Sequence, residues 1–171
     1  MWFIKKLKKL LSHSVSFDVE AETYWSFQVI RNGKVIAESA PVHNVTTNAG
    51  LNVARAILHQ AAHGGIAGFD KLTVGSTDYT PAAGDTSLTG EVNADGLERV
   101  SGTYSNEAGT GAWKLETTFT YTGSGVTVYT GAVFNSASGA TMMYAAKFAS
   151  SATLVNGDQL RVIVTGSVAA A

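Results

Sequence analysis

Apolar and polar positions alternate along much of the chain. Between Ser16 and Ile30 the apolar residues fall at Phe17, Val19 and Ala21, then at Trp25, Phe27 and Val29. That period of two is what a half-buried strand requires. Asn32-Gly33 follows, set between Val29-Ile30 and Val35-Ile36. Asn-Gly accommodates both positive φ angles of a type I′ turn, so a two-residue hairpin is predicted here, with Arg31 and Lys34 flanking the turn and facing solvent. Further period-two runs are Phe69–Val74, Leu97–Tyr104, Trp113–Tyr121, Val126–Phe134, Met142–Phe148 and Leu160–Val168. Turn chemistry separates them at Asn106–Gly109, Gly123–Gly125, Asn135–Gly139 and Asn156–Asp158. Many short strands without βαβ alternation predict a sandwich or barrel, not a parallel sheet.

Two stretches depart from that period. In Ala49–Ala62, Leu51, Ala54, Leu58 and Ala61 recur at helical spacing with Val53 and Ile57 beside them. Thr47 or Asn48 can cap the start and Gly64-Gly65 ends the run, so a helix over about 48–62 is predicted. The second stretch is Met1–Leu11, MWFIKKLKKLL. At about 100° per residue, Phe3, Ile4, Leu7, Leu10 and Leu11 share an arc of about 120°, with Lys5, Lys6, Lys8 and Lys9 opposite. This is a short basic amphipathic helix, too short to span a bilayer, and its lysines interrupt any signal-peptide core. Three readings fit it: docking in a protein groove, lying on an anionic membrane surface, or packing on its own domain. The fold expected is therefore mainly β: an antiparallel β-sandwich, jelly-roll-like, over residues 16–171. It carries one packed helix and follows an anchoring arm over 1–15.

Composition narrows the function. A chain of 171 residues is one domain with room for an extension. It has no cysteine, which removes disulfides, thiol catalysis and Cys-based zinc sites. Charged residues are 15%, against about 25% in an average soluble domain. Low charge lowers the desolvation cost of covering a surface with neighbours. Four of the 12 cationic residues sit in the arm, which leaves the body acidic and disfavours nucleic acid as a partner.

Candidate chemistry is sparse. His59 and His63 stand four apart on the predicted helix, but Gln60 replaces the glutamate of H-E-x-x-H, and a solvated helix terminus explains them better. No G-x-S-x-G elbow and no phosphate-binding glycine loop is present. Asp70, Asp78 and Asp85 lie near a loop, where a glycosidase pair is one reading and turn capping the better one. Asp78, Asp85, Asn156 and Asp158 offer oxygens to Ca²⁺ without EF-hand spacing. Asn44-Val45-Thr46 is a glycosylation sequon, relevant only in a secretory setting. Trp25, Trp113, Tyr121, Tyr129 and Tyr144 are either core or a sugar-stacking platform. No catalytic, cofactor or metal residue is assigned. The candidate functional residues are those of the arm, Phe3, Ile4, Leu7, Leu10 and Leu11 for docking and Lys5, Lys6, Lys8 and Lys9 for charge.

From Val45 to Val168 the chain resembles phage virion β-domains, the type found in tail, tail-fibre and accessory structural proteins. The residues that carry the resemblance are Asn48–Asn52, Leu72–Thr77, Thr80–Leu88 with Glu91-Val92, Gly131–Asn135 with Ala137–Gly139, and Val155–Leu160, in this order. The resemblance implies a non-enzymatic virion component without cofactor. Its partners would be other virion proteins and further copies of itself, a trimer among them. Shaft repeats and a receptor-binding tip are lacking, which points to a small tail, neck or fibre-associated piece. Capsid decoration is the alternative, and a carbohydrate-binding adhesion module a third reading.

Overall fold

The computed structural model describes residues 19–50, 68–106, 112–138 and 141–170. The arm, including all nine of its candidate residues, lies outside them, as do His59, His63 and most of the predicted helix. Eleven strands are formed among the described residues: β1 (Val19–Arg31), β2 (Lys34–Glu38), β3 (Val42–His43), β4 (Val45–Thr46), β5 (Lys71–Gly75), β6 (Val100–Ser101), β7 (Thr103–Asn106), β8 (Ala112–Thr120), β9 (Val126–Phe134), β10 (Met142–Leu154) and β11 (Gln159–Ala170). They make two antiparallel sheets. The first runs β2-β1-β11-β8-β7, with β3 also on β1; the second runs β4-β10-β9-β5-β6. Sequential strands β1 and β2, β7 and β8, and β9 and β10 pair within one sheet. That order does not display the jelly-roll connectivity expected from the sequence.

The alternation explains the core. On β1, Trp25, Phe27 and Val29 are buried while Tyr24, Ser26 and Gln28 between them are only half-buried. Leu160, Val162 and Val164 of β11 add to the same face. Opposite them the second sheet contributes Leu72, Val74, Val128, Val133 and Phe148 to one continuous apolar cluster. The Phe148 ring meets Phe27 edge-on at 5.1 Å and Trp25 at 6.3 Å, within the range where aromatic pairs attract beyond simple burial.

The second sheet is buried on its other face as well. Residues 76–99 cross it, and Leu88 packs with Ala132, Phe134, Met142 and Ala145 in a smaller cluster. Arg99 fixes the end of this crossing. Its guanidinium lies 3.5 Å from the Phe134 ring centroid, and its Nη2 donates to Glu91 at 2.7 Å. The alternation alone does not announce this second burial.

The predicted strands form, with two corrections. The run Leu97–Tyr104 divides into β6 and β7, which belong to different sheets. Gly102 makes the crossing. Its N–H donates to the Asp70 carbonyl at 2.7 Å, and a side chain there would strike Leu72 and Leu115. The second correction concerns Arg31. Lys34 is exposed as expected. Arg31, whose side chain is 41% exposed, forks onto the Asp158 carboxylate with Nε–Oδ1 and Nη2–Oδ2 both 2.7 Å. The turn between them has φ values of 52° at Asn32 and 73° at Gly33, as a type I′ turn demands.

Candidate functional site

The two sheets leave an opening at one end, and most of the candidate aromatics that are not core converge there. It is an apolar groove of about 200 Å³. Tyr104, Trp113, Leu115 and Val164 line it from the first sheet, and Phe69, Val133, Met143 and Tyr144 from the second. The alternation of β8 turns Trp113 toward the interior along with Leu115. Gly166, its register partner on β11, makes room, since a Cβ there would sit 2.5 Å from the indole. Tyr104 at the rim is 62% exposed. Burial pushes the Tyr144 phenol above its ordinary pKa.

Of the five aromatics proposed as a platform, the fold brings only Trp113 and Tyr144 into this groove. Trp25 and Tyr121 are buried in the main core. Tyr129 is half-buried on β9, outside the groove lining. Phe69 and Tyr104 join the groove although the sequence reading gave them only strand roles. The signal was present in their position at the first and last places of predicted runs, where an aromatic sits at a sheet end.

The carboxylates are engaged in holding the chain. Asp85 accepts the Ala82 N–H at 2.9 Å, a turn-capping bond. Asp78 pairs with Lys147 at 2.5 Å and Asp70 with Lys71 at 3.2 Å. Asp158 accepts from Arg31 and from the Val155 N–H at 2.9 Å, with its side chain only 1% exposed. The Arg31 hydrogen bonds hold this carboxyl below the usual carboxylate range, against the opposing effect of burial. On the outer face of the first sheet, Glu116 feels partial burial. Hydrogen bonds from Lys114 and Arg161 outweigh it and bring the carboxyl below its ordinary pKa. Among the described residues no three acidic or histidine side chains come together. Asp78, Asp85, Asn156 and Asp158, the candidate calcium donors, have separate partners.

The chain's surface offers a second feature. All five residues of β2 are exposed, and β2 is the last strand of its sheet. Val35 is 50% and Ile36 49% exposed. Exposed apolar side chains recur at Val100 on β6 and Tyr104 on β7, which are also end strands of their sheets. Comparison with protein-family models and with characterised proteins gives no match for this chain.

Proposed function

We propose that this chain is a non-enzymatic structural component of a phage particle. In this reading it is a tail, neck or fibre-associated piece that assembles with copies of itself and with other virion proteins. The two facing sheets are read as a β-sandwich, the usual body of such a module. One observation carries the assembly reading: among the described residues, four of the five exposed large apolar side chains, Val35, Ile36, Val100 and Tyr104, lie on strands that end their sheets. An end strand presents unpaired backbone groups, and apolar side chains beside them favour a partner over water. The ion-paired and turn-capping carboxylates support a non-enzymatic role, because each already has a structural task. The virion assignment itself rests on the ordered resemblance between Val45 and Val168.

The test pairs an edge with the arm. Val35→Lys with Ile36→Lys should leave the fold intact and lower the solution mass or the incorporation into particles. Removal of residues 1–15 should lower incorporation further, because a tethered arm binds at high effective concentration once the body is seated. A protein that stays monomeric at all concentrations, and enters no particle with or without these changes, ends the assembly reading. A tag on Ala171 located by imaging separates tail from capsid surface.

Trp113, Tyr104 and Tyr144 on one groove favour a second reading, a carbohydrate-binding module. A glycan array decides it: binding lost on Trp113→Ala without unfolding supports the module, and an unlabelled array dismisses it.

A further inference from the structure

We propose that Asn32 is a self-modifying position. Its side-chain amide is lost to attack by the Gly33 nitrogen, which leaves aspartate or isoaspartate at the tip of the β1–β2 hairpin. The same dipeptide at Asn156-Gly157 is kept intact by the fold. This holds whether or not the chain assembles in a particle.

Asn-Gly occurs twice in the chain, at 32–33 and at 156–157. Locally the two look alike. All four residues are exposed. Both glycines have positive φ, 73° and 87°, and a Cβ on either would stand in open space. With no side chain in the way, each glycine nitrogen is open to the carbonyl carbon of the preceding side chain.

Hydrogen bonding separates them. At 156–157 both reacting groups are tied. The Asn156 Nδ2 donates to the Thr122 carbonyl at 2.6 Å, and the Gly157 N–H donates to the Tyr121 carbonyl at 2.8 Å. The turn around them is closed by the Asp158 N–H on the Val155 carbonyl at 3.0 Å and the Val155 N–H on the Asp158 carboxylate at 2.9 Å. At 32–33 neither group is tied. Among the described residues the Asn32 side chain and the Gly33 N–H have no hydrogen-bond partner. The hairpin is held by the Arg31–Lys34 pair on either side of the turn. Lys34 also has no ion-pair partner among the described residues, and its cation follows directly on the nitrogen that must lose a proton.

The step is an intramolecular ring closure, favoured by proximity. Hydroxide from solvent takes the Gly33 N–H proton. The nitrogen bonds to the Asn32 Cγ and the Cγ–Nδ2 bond breaks, with the departing nitrogen taking a proton from water and leaving as ammonia. Water then opens the five-membered imide at one of its two carbonyls. One opening gives aspartate, and the other gives isoaspartate, whose backbone runs through the former side chain. Either adds a negative charge beside Arg31 and Lys34. Isoaspartate also lengthens the two-residue turn that sets the β1–β2 register. The change falls at the root of β2, the end strand that carries Val35 and Ile36.

The full chain, kept in mildly alkaline buffer with and without urea, is followed by peptide mapping in a mass spectrometer. In the folded chain position 32 should convert about tenfold faster than position 156, as expected when two hydrogen bonds must be given up at one site and none at the other. In urea the two should convert within about threefold of each other, because the tying bonds are gone. Asn32→Gln, which cannot close a five-membered ring, should remove the early acidic species on ion exchange. Equal rates in the folded chain, or faster loss at position 156, overturn the proposal. So does a folded chain whose position 32 stays intact while urea lets it convert. The same bias in urea overturns it too, because the fold would then play no part, and so does an acidic species that persists in Asn32→Gln.

Discussion

The two ends of the molecule are held by different physics. At one end the turns Asn32-Gly33, 122–125 and 155–158 interlock through polar groups. Arg31 and the Val155 N–H bind Asp158, the Asp158 carbonyl accepts the Tyr121 N–H at 2.9 Å, and the Tyr121 hydroxyl accepts the Gly125 N–H at 3.0 Å. Asn156 donates from Nδ2 to the Thr122 carbonyl at 2.6 Å. At the other end stands the apolar groove, where β1 begins, β7 and β8 meet, and the chain passes at Gly50 and Gly68 beyond the described residues. The polar end is closed by groups near one another in turns. The apolar end depends on side chains brought from both sheets. Polar closure is directional and joins turns up to 127 positions apart through single bonds, whereas apolar closure is non-directional and spread over many side chains.

Substitutions at the two ends measure that difference. The largest loss is expected at the apolar end. Gly166→Val puts a branched side chain against the Trp113 indole and the Glu22 carbonyl, both under 3 Å from its Cβ. Overpacking of this kind costs about 3 kcal/mol, read by chemical denaturation. A loss below that of the polar-end variants would reverse the comparison.

Next comes Asp158→Ala. It strips Arg31 and the Val155 N–H of their acceptor, and the melting temperature should fall by roughly 5 °C. The same carboxylate gives the polar end an acid sensitivity. Its pKa is lowered in the folded chain, so its contribution is complete above the unfolded value of about 4 and is lost as pH falls through the folded value. Melting curves from pH 6 to pH 2 should show a downward slope below about pH 4 that is shallower in Asp158→Asn. Identical slopes would remove Asp158 from the account.

A smaller effect is expected at Gly33→Ala. The site has open space, so only the φ of 73° opposes a side chain, at a cost of about 1 kcal/mol. Smallest of all is Lys147→Ala. Its pair with Asp78 is exposed on both sides, and stability should change by no more than about 0.5 kcal/mol.

Period and turn chemistry by themselves determined much of this protein. β9 runs from Val126 to Phe134 and β8 from Ala112 to Thr120, within a residue of the runs read from alternation. Thr47, one of two candidate caps, takes up the capping bond. These succeed because a strand's faces and a turn's φ angles are set by neighbours in sequence. Only the tertiary structure decided that Leu97–Tyr104 serves two sheets, that residues 76–99 bury the second face of β9, and that Arg31 meets Asp158 across 127 positions. It also decided which aromatics become core and which line the groove. Those outcomes depend on which strands become neighbours and which faces are covered, and no local pattern encodes a partner that lies a hundred residues away.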